Sequence, residues 1–209
     1  MDVITAIRRE RGKIRMCVNG DTELLVPLAL FRERPLAEGQ ALELAEYDQW
    51  LMVRQYRHAL DRAVGYLAAR ARSRREIEAK LLQAGYRPCT VEMVLYKLER
   101  EGLLDDADFA RQWVEARSHR QLGRGRIAQE LRRKGISAEE ADAAMASLDD
   151  EGQLDGAVAL VEKALSHPKP GEDPRKTAAR LTAMLTRRGY GYDIARQAIQ
   201  RAMTDLEDE

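Results

Sequence analysis

The sequence predicts a mainly α-helical protein: three tandem three-helix repeats in an elongated array, preceded by a small N-terminal β-hairpin or sheet region. Three observations support this fold class. Charged residues make up 33% of the 209 residues and aromatic residues only 5%, and Ala, Leu, Arg and Glu dominate, which favours helices. From Asp48 onward, apolar residues recur with the period of a helix. Helix-start and helix-stop signals then repeat along the chain.

The repeat is visible when three segments are aligned. EIEAKLLQAGY at 76–86 aligns with RIAQELRRKGI at 126–136, and LTAMLTRRGY at 181–190 aligns with both. Equivalent positions carry the same kind of residue in each repeat: Ile77, Ile127 and Leu181; Leu81, Leu131 and Leu185; Gly85, Gly135 and Gly189. A unit of roughly 50 residues buries too little surface to be stable alone, so the units are expected to share their stacking faces.

These patterns divide the chain into four segments. They are a β-rich region at 1–47, helical repeats at 48–106 and 107–155, and a third helical repeat with an acidic tail at 156–209. In the first segment, KIRMCV is followed by the turn pair Asn19-Gly20, and Glu23–Val26 can return as the partner strand, which predicts a hairpin. VITAIRRE is a candidate third strand, LELAE a candidate fourth, and VPLALFRERPLAEGQ a short helical turn and loop.

Capping signals predict where the helices begin. Asp48 is predicted to cap a long helix that runs to about Ala71. Two capping boxes follow, Ser73 to Glu76 and Ser137 to Glu140, in which each side chain bonds a free N–H group of the first turn. The insertion HPKPGEDP at 167–174 is predicted to be a loop because of its prolines.

Asp105 and Asp106 are open to two interpretations. They could form a catalytic acid pair, or they could cap the helix whose apolar run starts at Phe109. Capping is favoured, because aspartate at a helix start accepts backbone N–H groups and the sequence offers no third catalytic group at a recognisable spacing. We therefore expect that the protein is not an enzyme.

The sequence predicts no cofactor and no metal. The histidines have no neighbouring ligands at metal-binding spacing, and the cysteines are far apart: His58, His119 and His167; Cys17 and Cys89. Unpaired cysteines favour a reducing compartment, and the sequence has no long apolar run. We expect a cytoplasmic protein without membrane contact, and a monomer.

The segment LGRGRIA could hold a phosphate or simply join two helices. Gly123 and Gly125 precede a predicted helix, and free N–H groups at a helix start can bind a phosphate oxygen. No strand precedes them, as a phosphate loop would require, so a joining turn is favoured.

Basic residues cluster in the first two repeats, although the formal net charge is zero. Residues 107–136 hold eight Arg or Lys against three acids, and 137–155 hold seven acids and no base. The bases cannot all be paired locally, which predicts a basic face for DNA or an acidic protein surface. The candidate binding residues are Arg70, Arg72, Arg74, Arg75, Arg111, Arg117, Arg120, Arg124, Arg126, Arg132, Arg133 and Lys134.

The central segment, GLLDDADFARQWVEAR followed by GRGRIAQELRRKGI, resembles the signature of the RecX family of recombinase regulators. The lead-in ALDRAVGYLAARARSRREIEAKL is similar to the first unit of that family, whereas the third unit carries fewer signature residues. The matching positions are Gly102, Leu104, Asp105, Asp106, Phe109, Ala110, Arg117, Gly123, Ile127, Glu130, Leu131, Lys134, Gly135 and Ile136.

The resemblance implies a modulator of the RecA recombinase in recombination, DNA repair and the SOS response. Members of the family lie along the groove of the RecA–DNA filament, reduce its ATP hydrolysis and strand exchange, and contact single- and double-stranded DNA. Two alternatives stay open: a plain DNA-binding helical module without a recombinase target, and a hydrolase that uses Asp105 and Asp106.

Overall fold

The computed structural model describes residues 1–166 and 173–207, with side chains described up to Thr204. The chain divides into two compact units, Met1–Asp105 and Asp106–Glu209. Among the described residues, no helix is long and apolar enough to cross a membrane. The acidic tail is described only as the backbone of α10 up to 207, and most of the predicted loop at 167–174 lies outside the described residues.

The N-terminal region is an antiparallel sheet with the strand order β3-β2-β1-β4. Its strands are β1 (Asp2–Glu10), β2 (Lys13–Val18), β3 (Thr22–Pro27) and the two-residue β4 (Ala41–Leu42), and the short helix α1 (Leu28–Glu33) follows β3. Asn19 and Gly20 both have positive φ, at 56° and 86°, as a tight hairpin turn requires. The predicted hairpin and third strand are confirmed, whereas LELAE supplies only Leu42 to a strand and then enters a helix.

Nine further helices in the described residues form the three repeats. The first repeat contains α2 (Leu44–Ala69), α3 (Arg74–Gln83) and α4 (Pro88–Arg100); the second contains α5 (Asp106–Ser118), α6 (Arg124–Lys134) and α7 (Ala138–Met145); the third contains α8 (Asp150–Leu165), α9 (Pro174–Arg188) and α10 (Tyr192–Glu207). Both predicted capping boxes are present, at Ser73 and Ser137. The predicted fold class of three three-helix units behind a small sheet is confirmed.

The predicted cap at Asp48 is wrong. Helix α2 begins at Leu44, and Glu43 occupies the cap position without a side-chain hydrogen bond. Asp48 lies inside α2 and forms an ion pair with Arg87, whose Nη1 is 3.2 Å from Oδ2 of Asp48. The acidic side chain therefore serves a contact between α2 and the start of α4, which local sequence cannot reveal.

Several predicted segment boundaries fall inside helices. The boundary at 47/48 lies within α2, and the boundary at 106/107 lies one residue into α5. Helix α8 already begins at Asp150, because the side chain of Asp149 accepts a hydrogen bond from the Gly152 backbone at 2.7 Å. The boundary at 155/156 was therefore placed too late.

Each repeat has its own apolar core, and the aligned residues occupy equivalent places in it. Leu81, Leu131 and Leu185 are fully buried in three separate clusters. A fourth cluster, which includes Ile4 and Met16, lies between the sheet and the start of α2. The periodic pattern in the sequence is thus a pattern of core positions.

Candidate functional site

The signature residues of the central segment are mostly structural. Seven of them are buried: Leu104, Phe109, Ala110, Gly123, Ile127, Leu131 and Ile136. Gly102 and Gly135 adopt positive φ at 66° and 85°. Helix α5 begins at Asp106, directly after the exposed Asp105. This placement at a helix start agrees with the favoured interpretation of the two aspartates.

The glycines of LGRGRIA join two repeats. The N–H groups of Gly123, Arg124 and Gly125 all donate to protein acceptors, at 2.9, 2.9 and 3.0 Å. The acceptors are the backbone oxygens of Arg188 and Gly189 and the side-chain oxygen of the buried Gln153. These three donors are therefore occupied within the protein, which agrees with the joining interpretation.

This junction has no room for side chains. A Cβ atom on Gly123 would lie 2.4 Å from the backbone of Gly189, and one on Gly189 would lie 2.2 Å from the backbone N of Arg126. Gly189 also has φ of +90°, which disfavours any other residue. The two backbones therefore touch directly, and the second and third repeats are tied together at this point.

Three of the candidate cations form a closed network around Trp113. Glu130 accepts hydrogen bonds from Nε of Arg117 at 2.7 Å, Nε1 of Trp113 at 3.2 Å and Nε of Arg126 at 3.3 Å. The guanidinium of Arg117 lies 3.9 Å from the centre of the indole ring, and Nζ of Lys134 lies 4.7 Å from it. We call these five residues the Trp113 network.

The electrostatics of the Trp113 network favour a charged Glu130. Burial acts to raise the pKa of Glu130, but the hydrogen bonds and charge of Arg117, with smaller contributions from Trp113 and Arg126, outweigh it. The pKa consequently lies below its ordinary value of 4.5. Arg117 and Glu130 are each only 18% exposed, so this pair contributes to the structure of the repeat.

The remaining candidate cations of the second repeat differ in exposure and pairing. Arg111 pairs with Asp108 at 3.0 Å, and Arg124 lies 3.9 Å from Asp150. Three others are exposed and have no ion pair within the described part of the chain: Arg120, Arg132 and Arg133. These three are the cations that the second repeat leaves available to a partner.

In the first repeat, two of the four candidate arginines are held by carboxylates. Arg70 forms a two-pronged contact with Glu76 at 2.9 and 3.2 Å, and Arg74 bonds Glu92 at 2.6 Å and Glu99 at 2.8 Å. The exposed Arg75 and the half-buried Arg72 have no ion pair among the residues described. Carboxylates of the first repeat thus already engage Arg70 and Arg74.

Sequence analysis missed three cations that accompany Arg72. Arg62 and Lys80 lie near the ring of Tyr66, over which Arg72 also lies, and Arg11 reaches the same place from the turn between β1 and β2. The spacing of Arg62 and Tyr66, four residues apart on a predicted helix, was a usable signal. Arg11 is brought there by tertiary folding, so the sequence carried no signal for its position.

Comparison with protein families identifies the chain. Three family models match in succession: the first three-helix domain of RecX at residues 59–98, the second at 105–145 and the third at 151–199. The chain belongs to the RecX family. The three matched domains correspond to the three helical repeats, and the curated relatives of the family are regulatory proteins.

Similar RecX-family proteins cover much of the chain. The regulatory protein RecX of Mycobacteroides abscessus is 42% identical over 144 residues, which are 68% of this chain and 70% of that protein. RecX of Mycolicibacterium vanbaalenii is 43% identical over 136 residues, 62% of this chain and 73% of that protein.

Solved structures agree with the fold. A crystal structure of RecX from Lactobacillus salivarius has a TM-score of 0.66 at 25% identity and covers 73% of this chain and 99% of its own. A second structure, of a regulatory protein RecX, has a TM-score of 0.64 at 23% identity and covers 96% and 100%. The second comparison supports the fold alone.

Proposed function

We propose that this RecX-family chain binds the filament of RecA on DNA and lowers its ATP hydrolysis and strand exchange. The observation that carries the proposal is the set of exposed cations on the second repeat, Arg120, Arg132 and Arg133, which have no ion pair among the described residues. Cations without intramolecular partners are available to a polyanion or an acidic protein surface.

The mechanism in this proposal is restraint of motion. A protein that bridges neighbouring subunits of a filament opposes the rearrangement that each cycle of hydrolysis requires, because it binds one arrangement more tightly than the other. The chain needs no catalytic group of its own for this. Family membership supports the regulatory role, and the exposed arginines supply the contacts.

The test is the single-strand-dependent ATPase rate of the host RecA, titrated with this protein at physiological salt. We expect the rate to fall at substoichiometric protein. Arg132→Gln with Arg133→Gln should weaken this effect roughly tenfold or more, because two charge-assisted contacts are lost. The matched control is Lys176→Gln with Arg196→Gln, which removes two exposed cations from the third repeat.

Two outcomes would contradict the proposal. An ATPase rate that does not change would remove RecA as the target. The plain DNA-binding module would be favoured if the protein bound DNA without RecA as tightly as it bound the filament. The log–log salt slope of that binding would be about −0.9 per duplex contact or −0.7 per single-strand contact.

A further inference from the structure

Four cationic side chains gather around Tyr66 in the N-terminal unit. The guanidinium groups of Arg62 and Arg72 lie 5.7 and 5.5 Å from the centre of the Tyr66 ring, and Nζ of Lys80 lies 5.1 Å from it. Arg62, Lys80 and Tyr66 line a cavity of about 150 Å³ together with Arg11. We call these five residues the Tyr66 cluster.

Local contacts fix the geometry of the Tyr66 cluster. Arg62 donates from Nε to the hydroxyl of Tyr66 at 2.7 Å, one turn further along α2. Arg72 donates from Nε to the backbone oxygen of Tyr66 at 3.0 Å. The turn that carries Arg11 is held against the end of α3, where a Cβ on Gly12 would lie 3.7 Å from Cα of Ala84.

No carboxylate neutralises these cations in the part of the chain that the structure describes. Arg11, Arg62, Arg72 and Lys80 form no ion pair there, although three other arginines of the first repeat do: Arg70, Arg74 and Arg87. Like charges held together repel, and the face of a tyrosine ring offsets this only in part. An anion in the cavity would remove the repulsion.

We propose that the Tyr66 cluster binds a phosphate of a nucleic-acid backbone. Arginine forks and a lysine ammonium are the groups that bind phosphate oxygens in proteins. The Tyr66 hydroxyl accepts its bond from Arg62, so its own hydrogen can be donated to a phosphate oxygen. A cavity of about 150 Å³ suits one such group, and it is smaller than a drug-sized ligand requires.

A continuous backbone fits better than a single free anion. Arg8 and Arg9, on the strand that leads into the turn, are exposed and have no ion pair among the described residues. Because side chains alternate between the two faces of a strand, only Arg9, two residues before Arg11, can extend the cations of the cavity along β1 toward a further phosphate. This inference rests on the proposed function and adds a nucleic-acid contact to the N-terminal unit. The experiments below can contradict it without contradicting the proposed function.

The test is binding of the full chain to a labelled single-stranded oligodeoxynucleotide, measured by fluorescence anisotropy across a salt series. Arg62→Gln with Lys80→Gln should weaken binding about tenfold or more and reduce the log–log salt slope by about 0.7. The matched control is Arg54→Gln with Arg57→Gln, exposed positions on the same helix, and it should bind like the wild type. Tyr66→Phe, which keeps the ring, should weaken binding several-fold.

Equal affinity and salt slope in the cluster variant and the control would overturn the inference. If, in addition, inorganic phosphate at constant ionic strength raises the melting temperature of the wild type but not of Lys80→Gln, the cluster binds free phosphate instead. The RecA titration separates the two proposals. If the cluster variant loses oligonucleotide binding but still lowers the ATPase rate, both the inference and the proposed function are supported. If the cluster variant binds the oligonucleotide more weakly than the wild type, but the wild type does not lower the ATPase rate, only the inference is supported.

Discussion

Trp113 in the second repeat and Tyr66 in the first both lie beside cationic side chains, but only Trp113 shares them with a carboxylate. Glu130 bonds Arg117, Arg126 and the indole of Trp113, and its side chain is 18% exposed. No residue of this kind takes part in the Tyr66 cluster within the described chain. The number of cations near a ring therefore does not by itself identify a binding surface.

What distinguishes the two places is how their charge is balanced. In the Trp113 network the carboxylate of Glu130 bonds two of the three cations, and its bond to Arg117 supports the packing of α5 against α6. The Tyr66 cluster keeps an excess of positive charge beside an open cavity of about 150 Å³. The larger local excess of bases in the sequence, at 107–136, therefore includes arginines that are already hydrogen-bonded within the repeat.

Separating the second repeat from the third at the glycine junction should have the largest effect. Gly189→Ala places a Cβ within 2.2 Å of the Arg126 backbone at a φ of +90°, so we expect a loss of roughly 3–5 kcal/mol in the free energy of unfolding. Gly102→Ala is the control, since Gly102 also has positive φ but nothing within 4 Å, and it should cost only about 1–2 kcal/mol. Urea unfolding of both variants measures this, and equal losses would contradict the close contact.

Removing the charge of Glu130 should open the Trp113 network. Glu130→Gln weakens the bonds to Arg117 and Arg126 and leaves two half-buried cations unbalanced, which should cost about 1.5–3 kcal/mol of stability. Glu115→Gln, an exposed position on α5, should change stability by less than about 0.5 kcal/mol. Chemical unfolding at pH 7 compares them, and a neutral Glu130→Gln would mean that the network is incidental.

The lowered pKa of Glu130 predicts that its contribution to the free energy of unfolding depends on pH. Because the folded pKa of Glu130 lies below its ordinary value of 4.5, its contribution is fully present above that value and is lost as the pH falls through the folded pKa. The stability difference between wild type and Glu130→Gln should therefore be constant near neutral pH and shrink below about pH 4.5. Urea unfolding at several pH values tests this, and a difference that grows in acid would refute it.

Supplying the missing carboxylate should make the Tyr66 cluster resemble the Trp113 network. Gln83 lines the cavity, and Gln83→Glu should raise stability by up to about 1 kcal/mol while weakening oligonucleotide binding several-fold. Gln197→Glu makes the same charge change on an exposed position of α10 and serves as the control. Anisotropy and urea unfolding provide the two readouts, and similar binding by both variants would count against the cluster as a phosphate site.

The sequence revealed those parts of the fold that depend on local patterns. The capping boxes at Ser73 and Ser137 and the repeated leucines could be predicted from their spacing. The capping boxes determine where helices begin, and the leucines form the core of each repeat. Asp48 misled the prediction, since its partner Arg87 lies 39 residues away. The Tyr66 cluster was missed for a related reason, because Arg11 joins it only when the sheet packs against the first repeat.

Backbone amides at the glycine junction are sensitive to separation of the second repeat from the third. The amides of Gly123 and Gly125 donate across the junction, to the backbone oxygens of Arg188 and Gly189. Their hydrogens can exchange with deuterium from the solvent only when the two repeats come apart, whereas most amides of α6 exchange when that helix itself unwinds. The exchange rates of these two amides would therefore measure how often the second and third repeats separate, without any label or substitution.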